Sequence, residues 1–385
     1  MVEKGPRRAQ LKDLYGDRAS NQYAEVFMQK MQFRDDTVPE LGSLRIDSIF
    51  PAGHLASVLQ SGVPVYAFAG WYDLSASTGA LRMFLNSTHP ESKMLLGAWH
   101  HAGRNRVSPF SEVVPIPFDR HSEVLKFFDR HLKGLDNGIA EEPRVHYYHM
   151  GEEAWRGSAQ WPLPHLRSET LYLGAGQQLT AEAPTGATVT EPAQLEADTY
   201  LGWDSRWELG GESRSRYDTF LIAEPKLIAY TSEPFAETTD VSGIPHVKLF
   251  LKVPTADANV FVYLIDLAPD GTRRVVATGQ QKVGFRTPFD GPAPYRDVVP
   301  YQRFFRADWQ AVDPDGVTEL DIDFFPTSWR IEAGHAVRVV VSGSDLPHFE
   351  TLDPQVYDIS MVYGPDYPAR VELPVVAAPL TGREE

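Results

Sequence analysis

The sequence predicts an α/β unit followed by an all-β sandwich. Two short apolar runs, residues 63–70 and 94–101, each end in polar residues and flank a helical pattern at residues 80–85. A strand, helix, strand order at this spacing is typical of a βαβ unit, whose parallel strands are covered by helices. From about residue 170 the pattern changes to short alternating runs separated by turn residues, which indicates a β-sandwich.

Two more helical patterns flank the βαβ unit. Residues 1–54 are charged, and their apolar side chains recur at helical spacing at Tyr23, Val26, Phe27 and Met31. Residues 121–135 predict an amphipathic helix that ends near Gly134. One face of that helix carries Leu125, Phe128, Leu132 and Leu135.

The β-rich part is predicted from seven alternating runs and one strong hairpin signal. Asp270 and Gly271 form the hairpin turn between two of the runs. Residues 284–300 predict a long loop, and residues 155–164 a linker between the two units. The predicted strands are residues 170–173, 246–253, 259–267, 275–285, 317–325, 336–342 and 370–376.

Composition excludes several classes of protein. The 385 residues include 36 basic and 52 acidic side chains, and the net charge of −16 argues against nucleic acid as a partner. The absence of cysteine excludes disulfides, thiolate nucleophiles and cysteine zinc sites. No apolar run approaches the ~20 residues of a membrane span, and the first ten residues do not resemble a secretory signal. If Met1 is the true start we expect a cytoplasmic protein, whereas the N-terminus of a fragment carries no such information.

No metal or cofactor site is predicted. The sequence contains no His-Glu-x-x-His motif. His146 and His149 lie three residues apart in a predicted strand, so their side chains point to opposite faces. We interpret these histidines as surface or packing residues.

Asp73 and His101 are the candidate catalytic residues. Each lies at the carboxyl end of a predicted parallel strand, where the late acid and base of a serine hydrolase are found. Asp73 would accept a hydrogen bond from one ring nitrogen of His101, leaving the other to take a proton from a serine hydroxyl. The alternative is an aspartate that only caps the next helix. Trp71 and Trp99 are candidates for lining an acyl pocket, with core packing as the alternative.

The nucleophile of such a triad is missing from the sequence. Its usual Gly-x-Ser-x-Gly turn does not occur anywhere in the chain. The nearest serines, Ser75 and Ser77, lie after Asp73 and resemble a helix cap. Capping and turn roles are sufficient for Ser122, Ser342 and Ser344.

These motifs resemble the cocaine esterase and X-Pro dipeptidyl-peptidase-like acyl hydrolases. Residues 70–73 (Gly-Trp-Tyr-Asp) resemble the family's acid motif, and residues 97–101 (Gly-Ala-Trp-His-His) its histidine motif, with Ala98 where proline is usual. Residues 127–134 are similar to the helix that follows, and residues 150–155 and 161–164 extend the resemblance. Three later segments, residues 241–243, 264–271 and 333–335, resemble the family's jelly-roll domain.

The resemblance implies three parts. Residues 1–54 are expected to be a remnant of the family's helical cap. Residues 55–165 are expected to form a partial α/β-hydrolase sheet that carries Asp73 and His101, and residues 166–385 a jelly-roll-like β-sandwich. The family's early strands, serine elbow and oxyanion donors have no counterpart in the sequence.

Three functional interpretations stay open. In the first, the chain is a portion of a serine-type acyl hydrolase whose nucleophile lies on another chain. In the second, it is an inactive homologue that acts as a binding module through its sandwich. The third is an independent hydrolase that uses Asp73 and His101 with water. Expected partners are a small-molecule ester or peptide and an N-terminal hydrolase fragment or another copy of the chain. A sheet without its early strands would leave the strand at residues 63–70 with an unpaired edge.

Overall fold

The structure is a computed structural model. It describes residues 32–37, 45, 51–101, 103–112, 114–116, 119–194, 227–345, 349 and 358–377. The helical pattern around residues 23–31, and with it most of the predicted cap remnant, lies outside these residues.

The first part of the described chain is a small sheet with helices. Strands β1, β2 and β5 are parallel and β6 is antiparallel, in the order β1-β2-β5-β6, while β3 and β4 form a separate hairpin. The predicted strand, helix, strand order is therefore present. The helices are α1 (Pro51–Ser61), α2 (Ser75–Asn86) and α3 (Arg120–Lys133), and the strands β1 (Tyr66–Gly70), β2 (Lys93–Gly97), β3 (Asn105–Arg106), β4 (Val114–Pro115), β5 (Val145–His149) and β6 (Ala154–Ser158).

Two predicted boundaries differ from the structure. Helix α1 runs without interruption across the expected division between residues 54 and 55. The predicted linker at residues 155–164 begins inside β6, which pairs with β5 along its whole length. Trp155 explains the difference, because its ring packs 5.3 Å from that of Tyr148 and makes the segment part of the sheet.

The second part of the chain is built from strands, as the alternating pattern predicts. In the described residues from 166 onward the only helical segments are two 3-10 turns, Val283–Phe285 and Arg306–Asp308. The strands form one connected, mainly antiparallel set of thirteen. They are β7 (Leu166–Gly174), β8 (Gln178–Thr180), β9 (Val189–Gln194), β10 (Ile228–Ser232), β11 (Thr239–Gly243), β12 (His246–Lys252), β13 (Asn259–Leu267), β14 (Arg273–Lys282), β15 (Thr318–Asp323), β16 (Thr327–Ile331), β17 (Ala336–Ser342), β18 (Asp358–Tyr363) and β19 (Arg370–Val376).

Strand β13 is buried on both faces, which explains its nearly continuous apolar sequence. One face places Val260, Val262 and Leu264 in the main core. The other face places Phe261 and Tyr263 in a second cluster, against which Tyr72 also packs. The tyrosine beside the candidate acid is thus anchored to the β-rich part of the chain.

The two parts are joined through backbone and core. Beyond β5, Met150 donates a backbone hydrogen bond to Ser328 (3.0 Å) and accepts one from Arg330 (2.8 Å). The main core cluster runs from the small sheet into the β-rich part without a break. In the part of the chain that the structure describes, no helix is long and apolar enough to cross a membrane.

Candidate active site

The parallel pairing of β1 with β2 brings the two candidate catalytic residues together. Gly70 and Gly97 are register partners at the ends of these strands. The backbone pairing continues past them, since the Trp71 N–H donates to the Gly97 carbonyl at 2.9 Å. Because parallel strands end at the same edge of a sheet, Asp73 and His101 emerge side by side.

Asp73 and His101 are in direct contact. Oδ1 of Asp73 lies 2.9 Å from Nδ1 of His101, so the contact expected from the sequence is present. With Nδ1 protonated, the imidazole donates to the carboxylate, and this contact fixes the tautomer that leaves Nε2 as the base. The His101 side chain is 48% exposed, whereas that of Asp73 is 9% exposed. The pair therefore presents its histidine to solvent and keeps its carboxylate inside.

Burial sets the electrostatics of the pair. Loss of solvent raises the pKa of the Asp73 carboxyl, and the hydrogen bond and charge of His101 oppose that rise. A carboxylate held in this way stabilises a positive charge on the imidazole. The arrangement can therefore hold a proton that His101 takes from a nucleophile.

Two glycines permit the close approach of the strand ends. A Cβ on Gly70 would lie 1.9 Å from the Trp99 carbonyl oxygen, and a Cβ on Gly97 would lie 1.9 Å from the Trp99 ring. A larger residue at position 70 would push β1 away from the backbone that follows β2, and a larger residue at position 97 would displace the Trp99 ring. These glycines are the local reason that the two motifs converge.

A strained turn follows Asp73 and starts α2. Leu74 has φ 47° and ψ −124°, a conformation that costs a leucine roughly 1–3 kcal/mol. Ser77 is fully buried, and its hydroxyl donates to the Leu74 carbonyl at 2.6 Å. The N-cap residue of α2 is Leu74, which makes no side-chain cap hydrogen bond, so the serine cap expected from the sequence is not formed. The burial of Ser77 leaves its hydroxyl without access for a substrate.

Trp71 and Trp99 pack inside the molecule. They are 5% and 3% exposed, and the Trp71 indole donates to the Tyr148 carbonyl at 2.7 Å. The rings lie about 6 Å from those of Trp161 and Trp155 respectively. The structure thus supports the packing alternative for both, and a role in lining an acyl pocket stays a prediction.

A second histidine, His149, which the sequence analysis interprets as a surface or packing residue, lies in a buried polar network. Nδ1 of His149 is 2.7 Å from the Ser328 hydroxyl, and its Nε2 is 3.0 Å from Asp240 Oδ1. Asp240 also contacts Arg156 and Arg330, which in turn contact Glu152. His149 and Ser328 have no exposed surface, so this serine, histidine, aspartate series cannot reach a substrate.

The buried network joins the two parts of the chain. His149, Glu152 and Arg156 belong to β5, β6 and their turn, whereas Asp240, Ser328 and Arg330 belong to β11 and β16. Burial lowers the pKa of the His149 imidazole, which favours its neutral form. Although burial opposes it, the hydrogen bonds from His149, Arg330 and Arg156 lower the pKa of the Asp240 carboxyl. No sequence signal could have identified this buried network, because its members lie far apart in the sequence and on different strands. Among the described residues no group of three or more acidic, histidine or cysteine side chains is placed to hold a metal ion.

Comparison with known proteins identifies relatives of this arrangement. Residues 137–356, more than half of the chain, match the model of the X-Pro dipeptidyl-peptidase C-terminal non-catalytic domain. A protein named as a serine esterase from Mycobacterium bovis is 33% identical over 339 residues, which are 88% of this chain and 54% of that protein. Cocaine esterase from Rhodococcus sp. is 24% identical over 345 residues, or 81% of this chain and 56% of that enzyme.

A solved structure shares the fold. The CocE/NonD family hydrolase from Staphylococcus aureus aligns with a TM-score of 0.60 at 16% identity, over 82% of this chain and 55% of that one. The chain therefore spans about half the length of the relatives that it matches.

Proposed function

Because the chain belongs to the family of cocaine esterase and X-Pro dipeptidyl-peptidase-like acyl hydrolases, we propose that it supplies the acid and base of a serine-type acyl hydrolase. The contact between Asp73 and His101 carries this proposal. It combines a buried carboxylate, an exposed imidazole and strand ends that point to the same edge, which is the arrangement that a general base needs.

The proposed reaction is acyl transfer through a serine supplied by a separate segment. His101 Nε2 takes the hydroxyl proton as the serine oxygen attacks the acyl carbonyl, and Asp73 stabilises the imidazolium. The imidazolium then protonates the leaving alcohol or amine, and water releases the acyl group in a second cycle. The substrate class is a small ester or peptide, in keeping with the esterases named among the relatives and with the dipeptidyl-peptidase named in the matched family model.

In this proposal the small sheet is part of an α/β-hydrolase sheet and the β-rich part is jelly-roll-like. The missing serine is expected on an N-terminal hydrolase fragment. The absence of Gly-x-Ser-x-Gly from the sequence supports a separate source of the nucleophile.

Reconstitution tests the proposal. The chain is co-expressed with the part of the Mycobacterium bovis serine esterase that lies outside its match to this chain, and hydrolysis of an activated aryl ester is measured. We expect activity in the mixture that falls by roughly 10³-fold or more with His101→Ala. His165→Asn is the matched control, because His165 is exposed in a loop and has a positive φ that asparagine tolerates.

Two results would contradict the proposal. Activity that is equal in the His101→Ala and His165→Asn variants would exclude His101 as the base. Stoichiometric labelling of the chain alone by a serine-directed phosphonate would place a nucleophile on the chain itself.

A second candidate function is a catalytically inactive binding module. The matched family model describes a non-catalytic domain, and its range, residues 137–356, includes eleven of the thirteen strands of the described β-rich part, which favours this alternative. Binding of a small ester or peptide by the chain alone, unchanged in Asp73→Asn and His101→Ala variants, would support it against the acyl hydrolase.

A further inference from the structure

The loop that follows His101 is docked on the β-rich part of the chain. The Phe110 ring contacts two groups of that part, the Arg274 guanidinium, 4.7 Å from the ring centroid, and the Trp329 ring, also at 4.7 Å. Arg274 Nε donates in addition to the Pro109 carbonyl at 3.3 Å. Contacts of an aromatic ring with a cation and with a second ring have preferred geometries. Phe110 is therefore held in a defined position, and not by apolar burial alone.

The surface that receives this ring is itself fixed by a buried carboxylate. The Trp329 indole donates to Asp266 Oδ2 at 3.1 Å, and Asp266 Oδ1 lies 2.7 Å from Nδ1 of His335. Asp266 and Trp329 have no exposed surface. Both carboxylate oxygens are in use, which holds the tryptophan ring in one orientation. Asp266 and His335 belong to two of the segments that resemble the jelly-roll domain, residues 264–271 and 333–335, and this contact gives those segments a physical role.

The turn that carries His101 is closed at its base. The Val107 N–H donates to the Ala98 carbonyl at 2.8 Å, so the residues on either side of this turn are joined. Between this closure and Phe110 lies Ser108, which is buried and whose hydroxyl is hydrogen-bonded. A displacement of Phe110 is therefore expected to move His101.

Asp73 is tied to the same part of the chain. Its neighbour Tyr72 packs against the second cluster, which includes Phe261 and Tyr263 of β13. Strand β13 also carries Asp266, the carboxylate that fixes the surface under the other loop. The β-rich part thus holds the acid and the base against one common strand.

We propose that Phe110 is a positioning residue, through which the β-rich part keeps His101 in contact with Asp73. This inference rests on the proposed function and assigns a role in it to a part of the chain whose matched family model is described as non-catalytic. The His101 side chain is 48% exposed, so packing around its own ring is incomplete and its position depends on the loop. Such support matters, because a misplacement of ~1 Å can cost roughly 10²-fold in rate.

The tautomer of His101 separates a positioning role from simple packing. The hydrogen bond to Asp73 selects the tautomer with its proton on Nδ1. An imidazole released from this contact samples both tautomers. The two populations are measured by ¹⁵N NMR of the intact chain with labelled histidine, at mildly alkaline pH, and His101→Gln identifies the His101 signals. A residue that only packs would change the free energy of unfolding and leave this signature as it is.

The first variant is Phe110→Ala. We expect the population of the Nδ1–H tautomer of His101 to fall, because the loop is no longer held. Phe250→Ala is the matched control, since Phe250 is a buried ring of β12 that contacts another ring, Tyr367, at 5.5 Å. It should lower the stability of the chain and leave the His101 signals unchanged.

The second variant, Arg274→Gln, keeps the aromatic ring in place. It removes the cation beside Phe110 and weakens the contact with Pro109, so we expect a smaller shift of the His101 tautomer in the same direction. Arg167→Gln is its control, because Arg167 is an exposed arginine of β7 that pairs with Glu169. If Phe110→Ala does not fold, the comparison of these two arginine variants decides by itself.

The reconstituted hydrolase gives an independent measurement. Phe110→Ala should lower kcat by roughly tenfold or more and change KM by less than about twofold, because the base is displaced while the substrate contacts are kept. Phe250→Ala should change neither constant at a temperature where the variant is folded.

Several outcomes would overturn the positioning role. One is an unchanged His101 spectrum in folded Phe110→Ala and Arg274→Gln. Another is an equal shift in Phe250→Ala, because general loosening would then be the cause. A hydrolase that needs His101 but is indifferent to Phe110→Ala would refute the positioning role and leave the proposed function standing. A tautomer shift in the chain alone, with no hydrolysis on reconstitution, would do the reverse.

Discussion

Replacing Asp240 with asparagine should destabilise the protein by removing the negative charge at the centre of the buried network. The carboxylate receives Arg156 Nη2 at 2.8 Å and Arg330 Nε at 2.9 Å, with His149 Nε2 at 3.0 Å. With His149 neutral, the two guanidinium groups balance the two carboxylates Asp240 and Glu152. Asp240→Asn leaves one positive charge in excess in a largely buried site.

The expected loss is about 3 kcal/mol in the free energy of unfolding. Breaking a buried ion pair by removing one partner costs roughly 3–5 kcal/mol, and Glu152 compensates in part. Urea unfolding followed by tryptophan fluorescence measures the change. Glu91→Gln is the control, because it removes a bidentate but more exposed pair with Arg130, and loss of an exposed pair should change the free energy of unfolding little.

The pH dependence gives the prediction a sign. The pKa of Asp240 is lowered in the folded state, so its contribution to stability is present above the unfolded pKa, near ~3.9. It is lost as the pH falls from there through the lowered folded pKa. The difference between the wild-type chain and Asp240→Asn should thus be constant from pH 7 to 5 and shrink below pH 4. A difference under ~1 kcal/mol, or one that keeps its full size at pH 3 and below, would refute the reasoning.

Three further outcomes are expected. In the reconstituted hydrolase, Asp73→Asn should lower kcat by roughly 10⁴-fold and leave the fold intact, because the wrong tautomer of His101 is favoured; a loss below tenfold in ester hydrolysis would contradict this. Gly97→Ala should lower the free energy of unfolding in urea by at least ~1–3 kcal/mol, since the new Cβ would overlap the Trp99 ring. Gly79→Ala is the control, because Gly79 has open space around it in α2 and the change should stabilise the protein by ~0.5–1 kcal/mol. Equal effects of the two changes would contradict this expectation. His246 contacts Asp321 and Asp323, and although burial opposes it, these carboxylates raise its pKa to about 9. His246 should therefore contribute roughly 1–2 kcal/mol to the free energy of unfolding, after allowance for partial exposure, as measured against His246→Gln. This contribution should be complete below pH 6.5 and should disappear as the pH rises through 9. An NMR titration midpoint near 6.5 would rule this out.

Sequence alone was sufficient for the features that depend on local pattern. The alternating runs after residue 170 predict seven of the thirteen strands in the described β-rich part, because side chains on successive strand residues point to opposite faces. The strands β8, β9, β10, β11, β16 and β18 were not predicted. The contact of Asp73 with His101 was also predictable. A strand, helix, strand unit places both strand ends at one edge, and each residue immediately follows an apolar run.

Only the tertiary structure could decide which apolar groups are covered. The spacing of Leu125, Phe128 and Leu132 predicts an apolar helix face, but periodicity does not say what packs on it, and the structure leaves this face open. For Trp71 and Trp99 the sequence allowed either a pocket or the core. In the structure both rings lie inside the protein. Trp71 contacts Tyr148 of β5 and Trp161, which follows β6, and Trp99 contacts Trp155 of β6.

The network around His149 depends even more on the tertiary structure. Its members are single polar residues from the two parts of the chain, all in strands except Glu152, which lies in a turn. Each has a sequence context that suggests an ordinary strand or turn residue. Their pairing depends on how the small sheet meets the β-rich part at Met150 and Ser328. Local pattern determines which element a residue belongs to and which way it faces, whereas long-range packing determines which charges meet and which surfaces are left for a partner.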